Sequence, residues 1–160
     1  MYHFAPDPDQ PKAEAYRDLA EAAAALVAGE PDPVANMANL AALIWQFVPQ
    51  LNWAGFYRLI DGELVLGPFQ GKPACIRIPL DKGVCGAVAR SGQTQLVADV
   101  HAFPGHIACD AASRSELVVP VLRDGAVIAV IDLDSPEPAR FDAEDAAGIE
   151  MLARLVAGLA

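Results

Sequence analysis

The chain has 160 residues, 54% of them hydrophobic and 20% charged, which excludes wholesale disorder and suffices for a domain-sized core without disulfides or metal. A formal net charge of −10 without any cluster of Lys and Arg excludes nucleic acid and anionic membrane surfaces as partners. The three cysteines, Cys75, Cys85 and Cys109, are an odd number and exclude a fully paired disulfide framework within one chain.

The N-terminus is polar and broken by proline, without the pattern of a secretory leader. The longest apolar stretches, 22–28 and 126–131, are too short to span a bilayer. The expected setting is the reducing cytoplasm, where cysteines remain thiols unless chemistry oxidises them. Residues 1–160 read as a single domain, with 1–11 a loose lead-in.

A first helix is expected over 12–28, where Tyr16, Leu19, Ala23, Leu26 and Val27 share a stripe at helical spacing and Gly29 ends it. A second begins at Asp32 as N-cap with Pro33 in the first helical position, and stops before Pro49. Strand-like runs then occupy 53–60 and 63–69, joined by Asp61-Gly62, a strong two-residue hairpin signal. A third strand is expected over 74–80, a short helix over 83–90 and a short strand over 94–97. Residues 99–115 form a long irregular stretch, and long loops in compact domains are commonly functional. Strands over 116–123 and 126–134 are joined by Asp124-Gly125. A last helix covers 142–159, with Asp142 as N-cap, Asp145 at N3 and a stripe of Ile149, Leu152, Val156 and Leu159. Hairpin turns imply a mainly antiparallel central sheet. Helices from both ends of the chain cover one of its faces, and the other face, roofed by 99–115, is left for a ligand. The fold class is α+β.

Three groups of residues carry chemistry. Cys85 sits at the start of a short helix, where the N-terminal end of the dipole favours a thiolate and lowers the pKa. Cys109 lies in the long loop, and Cys75 in a strand beside the Gly71-Lys72-Pro73 turn. Each also suits the ordinary role of a free cysteine, a small buried hydrophobe. Zinc is a further option for the thiols, but a weak one, since they stand ten and twenty-four residues apart with no C-x-x-C pair. In Asp132-Leu133-Asp134, the alternation puts two carboxylates on one strand face, and Glu116 opens the neighbouring strand. They form either a solvated strand end or a pocket for a cation, and crowded carboxylates raise one another's pKa and supply a proton donor near neutral pH. In Asn52-Trp53-Ala54-Gly55-Phe56-Tyr57, the residues Trp53, Gly55 and Tyr57 share a face. Glycine between two rings either belongs to ordinary core packing or leaves a notch for a small apolar group such as a thioether methyl. His101 and His106 flank Phe103-Pro104-Gly105 as candidate bases.

The stretches 52–57, Leu66-Gly67-Pro68-Phe69-Gln70-Gly71-Lys72-Pro73-Ala74-Cys75, Gly83-Val84-Cys85-Gly86, 105–116 and Ile131-Asp132-Leu133-Asp134-Ser135 together resemble the free methionine-(R)-sulfoxide reductases, which are stand-alone GAF-domain enzymes. The resemblance covers about 14–157. It implies a GAF-like fold and reduction of the R epimer of free methionine sulfoxide, without a bound cofactor. It implies Cys109 as nucleophile, left as a sulfenic acid, Cys75 as the thiol that resolves it into a Cys75–Cys109 disulfide, and Cys85 as an auxiliary thiol. It makes Glu116, Asp132 and Asp134 both proton donors and holders of the substrate's ammonium, with Trp53 and Tyr57 flanking the methyl-sulfoxide end. Thioredoxin as external reductant and a homodimer are implied by the resemblance alone. The alternative on the same fold is a non-catalytic small-molecule sensor, or a redox switch built on the thiols.

Overall fold

The computed structural model describes residues 4–106 and 110–158. In chain order these form α1 (Lys12–Val27), α2 (Pro33–Phe47), β1 (Trp53–Ile60), β2 (Glu63–Gly71), β3 (Arg77–Pro79), α3 (Gly83–Ser91), β4 (Gln95–Val97), a single 3-10 turn (Val100–Ala102), β5 (Ser115–Arg123), β6 (Ala126–Ser135) and α4 (Ala143–Ala157). Local chemistry sets most of these limits. The Asp32 carboxylate accepts from the Val34 and Ala35 amides at 2.8 and 2.9 Å, with Pro33 following it. Asp142 and Asp145 form a reciprocal capping box at the start of α4. Both hairpins turn on residues in the left-handed region, Asp61-Gly62 and Asp124-Gly125, whose backbone matches the twist of the flanking strands.

The six strands form an antiparallel sheet in the order β3-β2-β1-β6-β5-β4. On one face, Ala54, Phe56, Leu117, Val119, Ile131 and Leu133 pack against apolar stripes of the helices, including Leu40 and Ile44 of α2 and Ile149 and Leu152 of α4. On this face α2 and α4 lie directly on the sheet and α1 packs across both, so helices from both ends of the chain cover it. The join between α1 and α4 is polar. Asp145 is wholly buried and accepts from the Tyr16 hydroxyl at 2.8 Å, Lys12 Nζ at 3.0 Å and Arg140 at 3.2 Å. Burial, the Asp145 charge and its hydrogen bond push the Tyr16 hydroxyl pKa up.

On the opposite face, Trp53, Tyr57, Leu64, Val118 and Val130 meet Val84, Cys85 and Val88 of α3. Strands covered on both faces explain why β5 and β6 are nearly continuous apolar runs rather than alternating ones. The third strand is shorter than the expected 74–80. Carbonyls of the preceding segment are taken by side chains of β1: Trp53 Nε1 donates to Lys72 O at 3.1 Å, and the Tyr57 hydroxyl to Cys75 O at 3.0 Å. Leu66 N still donates to Ile76 O at 2.9 Å, but the ladder becomes regular only at Arg77.

Candidate active site

The β1, β5 and β6 registers bring the acidic residues together. Glu116 pairs with Asp134 across β5 and β6, Asp134 with Trp53 across β6 and β1, and Asp132 with Gly55 on one side and Val118 on the other. All of these face α3. The result is a cavity floored by Glu116, Asp132 and Asp134 and walled by Trp53, Tyr57 and Cys85. Trp53, Tyr57, Cys85, Glu116, Asp132 and Asp134, all singled out from the sequence, therefore line one cavity. Cys75 does not line it, although its neighbours Lys72, Pro73 and Ala74 do; Cys75 is disulfide-bonded, while Cys85 is a free thiol. Cys109 lies outside the described residues. His106 and Asp110, on either side of that segment, both face the cavity.

The acids are buried without a cation among the described residues lining their floor. Burial, then the neighbouring Asp132 and Asp134 charges, push the Glu116 carboxyl well up. Burial and the Asp132 charge do the same to Asp134, opposed by a hydrogen bond from Ser113. Asp132 is pushed up by burial to about 7, held there by hydrogen bonds from Cys85 and Glu116 that favour its ionised form. One Asp132 oxygen, Oδ1, is buried without a hydrogen-bond partner among the described residues.

Cys85 corrects the expectation drawn from its place in α3. Burial, followed by the Asp132 and Glu116 charges, raises its pKa well above that of a free thiol. The helix dipole is outweighed by desolvation beside carboxylates contributed by β5 and β6. Cys85 is a protonated thiol donating to Asp132 and a poor nucleophile.

Of the two readings of Gly55, core packing is the one the structure bears out. Phe69 of β2 stacks on Trp53 with ring centroids 5.3 Å apart, and Tyr57 stacks with Trp53 at 5.8 Å. A Cβ on Gly55 would lie 2.8 Å from both Trp53 Cη2 and Phe69 Cα. Gly55 is thus the seat on which the indole rests, and the cavity takes its aromatic wall from Trp53 and Tyr57. Burial, then the Asp132 and Cys85 charges, raise the Tyr57 hydroxyl pKa, so it stays neutral and donates to Cys75 O.

Sequence reasoning did not single out the latch beside the loop. Asn52 Nδ2 donates to Ser113 Oγ at 3.0 Å and to Asp110 Oδ2 at 3.2 Å, while Lys72 Nζ stands 3.4 Å from Asp110. Asp110 is held below the usual carboxylate range by the Ala112 amide first and by Asn52 and Lys72 after it. All four residues fall inside the motif stretches, but only tertiary contact reveals the link. The N-terminus of α3 likewise faces the cavity through Gly83, Val84 and Cys85, and its N-cap Lys82 supplies no side-chain hydrogen bond. Of the two candidate bases, His106 lines the cavity with its pKa lowered by burial, and His101 pairs with Asp99 at the surface.

The pattern of the GAF domain family matches residues 35–159. The chain is 54% identical over 138 residues to Protein ZMO0507 of Zymomonas mobilis, covering 86% of each. It is 50% identical over 141 residues to the free methionine-R-sulfoxide reductase of Escherichia coli, covering 88% of this chain and 86% of that one. Among solved structures, the free methionine-R-sulfoxide reductase of Neisseria meningitidis in complex with its substrate superposes with a TM-score of 0.92 at 43% identity, over 98% of this chain and 95% of the other. The chain belongs to the GAF-domain family, in the group that includes the free methionine-R-sulfoxide reductases.

Proposed function

We propose that this chain reduces free L-methionine (R)-S-oxide to L-methionine, with thiols as the electron source. The observation that carries the reading is the buried carboxyl cluster of Glu116, Asp132 and Asp134 facing Trp53 and Tyr57, in a chain half identical to a named reductase. A free amino acid brings an ammonium group that can replace the missing cation at this cluster. A methionine inside a polypeptide has none, which is a physical basis for preferring the free substrate. The substrate carboxylate is assigned to the amides at the N-terminus of α3, where peptide dipoles favour an anion. The methyl-sulfoxide end lies against Trp53 and Tyr57, since sulfur and its methyl group contact rings favourably. The R preference rests on the names of the relatives.

In this reading Cys109 is the nucleophile. Its thiolate attacks the sulfoxide sulfur while a carboxylic acid of the cluster gives its proton to the sulfoxide oxygen. Methionine leaves, and the oxygen remains on Cys109 as a sulfenic acid. The Cys75 thiolate then attacks Cys109 Sγ, water departs, and a Cys75–Cys109 disulfide forms. Thioredoxin, as dithiol, reduces that disulfide by exchange and is itself oxidised. The disulfide-bonded state of Cys75 and the protonated state of Cys85 both favour this division, with Cys85 an auxiliary thiol. The cycle belongs in a reducing, cytoplasmic setting. Among the described residues no helix is long and apolar enough to cross a membrane.

The test is turnover of separated R and S epimers of free methionine sulfoxide with a dithiol reductant. Consumption of the R epimer alone is expected. If neither epimer is consumed, the reductase reading fails and the sensor reading takes its place.

A further inference from the structure

We propose that Cys85, Glu116 and Asp132 form a binding site for a thiophilic divalent cation of the zinc class. Among the described residues, these three offer a sulfur and two carboxylate oxygens that all lie within 4.8 Å of one another, and all three side chains are buried. The donors come from α3, β5 and β6, so regular elements hold them in place. No spacing along the chain could have announced them, because the usual signature is a pair of ligands a few residues apart on one loop or helix.

A second observation points to a ligand. Asp132 lines the cavity, and its Oδ1 is buried with no hydrogen-bond partner among the described residues. A buried carboxylate oxygen left unpaired is costly, and a cation is the group that relieves it. The donor set selects the ion. One sulfur among three donors disfavours magnesium and calcium, which take oxygen ligands, and favours zinc and its congeners. Zinc sits at about 2.3 Å from sulfur and about 2.0–2.2 Å from carboxylate oxygen, so the three donors would draw together around it. All three residues line the cavity, from which a fourth ligand would be supplied. Binding is balanced by protons: the Cys85 thiol and the carboxyl groups release theirs to solvent as the metal enters.

The cation would occupy the place assigned above to the substrate's ammonium. Competition with substrate therefore rests on the proposed function, whereas metal binding itself does not.

The experiment titrates cobalt(II), as a visible stand-in for zinc, into the oxidised protein, in which Cys75 is tied up and Cys85 is free. One equivalent is expected to produce a thiolate-to-cobalt absorption in the near ultraviolet that zinc then displaces. Cys85→Ser should abolish the absorption. Glu116→Gln and Asp132→Asn should weaken cobalt binding by at least the roughly 10–100-fold that even outer-sphere partners contribute. Cadmium-113 magnetic resonance of the wild-type protein, which needs no variant to fold, should show one sulfur in an oxygen-rich shell. Absence of any absorption in folded wild type, or its survival in Cys85→Ser, overturns the proposal. Free methionine sulfoxide should raise the apparent cobalt dissociation constant. If cobalt binds through Cys85 and substrate does not compete, the metal site stands and the substrate pocket is wrongly placed.

Discussion

Gly55→Ala is the sharpest probe of how the aromatic wall is built. The added methyl would lie 2.8 Å from Trp53 Cη2 and from Phe69 Cα, and closer still to Phe69 Cβ, whereas ordinary contact begins near 3.4 Å. At least 0.6 Å of movement is needed at each of two neighbours, and neither can give freely. Phe69 is paired to Gly55 in the ladder, and Trp53 is held by stacking with Phe69 and Tyr57 and by its bond to Lys72 O. Overpacking of this kind costs about 1–3 kcal/mol. With a urea m-value of about 1–3 kcal/mol/M, the unfolding midpoint should fall by roughly 1 M. Since the displaced indole is a cavity wall, KM for the sulfoxide should rise more than kcat falls. A midpoint within ~0.2 M of wild type, together with an unchanged KM, would refute the claim that the indole is seated on Gly55.

Asp145→Asn keeps the shape of the α1–α4 join but leaves Arg140 and Lys12 without their buried charge partner; a loss of about 3 kcal/mol in urea unfolding is expected, and a loss below ~1 kcal/mol would count against the network. The raised carboxyl pKa values set a sign for pH dependence. Between about pH 4 and about pH 7, the folded protein holds protons on Asp132 that the unfolded chain has released, so stability falls as pH rises across that window. Asp132→Asn should flatten the fall in a series of urea titrations, and an unaltered slope would show that Asp132 ionises normally. Tyr57→Phe removes the hydrogen bond to Cys75 O, worth about 1 kcal/mol, or roughly fivefold; trapping with dimedone should show the sulfenic acid persisting several times longer, and an unchanged lifetime would mean the bond does not position Cys75.

Much of this architecture was legible in the sequence because local signals carried it. The two Asp-Gly turns, the Asp32-Pro33 cap and the Asp142–Asp145 box place hairpins and helices within a residue or two. The face shared by Asp132 and Asp134 followed from strand alternation alone, and the neighbouring strand delivered Glu116 to it. What sequence could not reveal depends on contacts between distant elements. Phe69 reaches Gly55 from another strand, and side chains of β1 pull 72–75 out of the expected strand. The error over Cys85 has the same origin. A helix N-terminus is visible in sequence, but the desolvation and two carboxylates that overrule it are not.

The central claim is a thiol-for-sulfoxide exchange at Cys109 in an acidic pocket, and single-turnover chemistry reaches it most directly. Fully reduced protein, mixed with excess free methionine (R)-S-oxide and no external reductant, should release about one methionine per chain and close a disulfide between Cys75 and Cys109. The S epimer should release none, and neither should Cys109→Ser with the R epimer. A full methionine burst from Cys109→Ser, or a burst lost only in Cys85→Ser, would contradict the account.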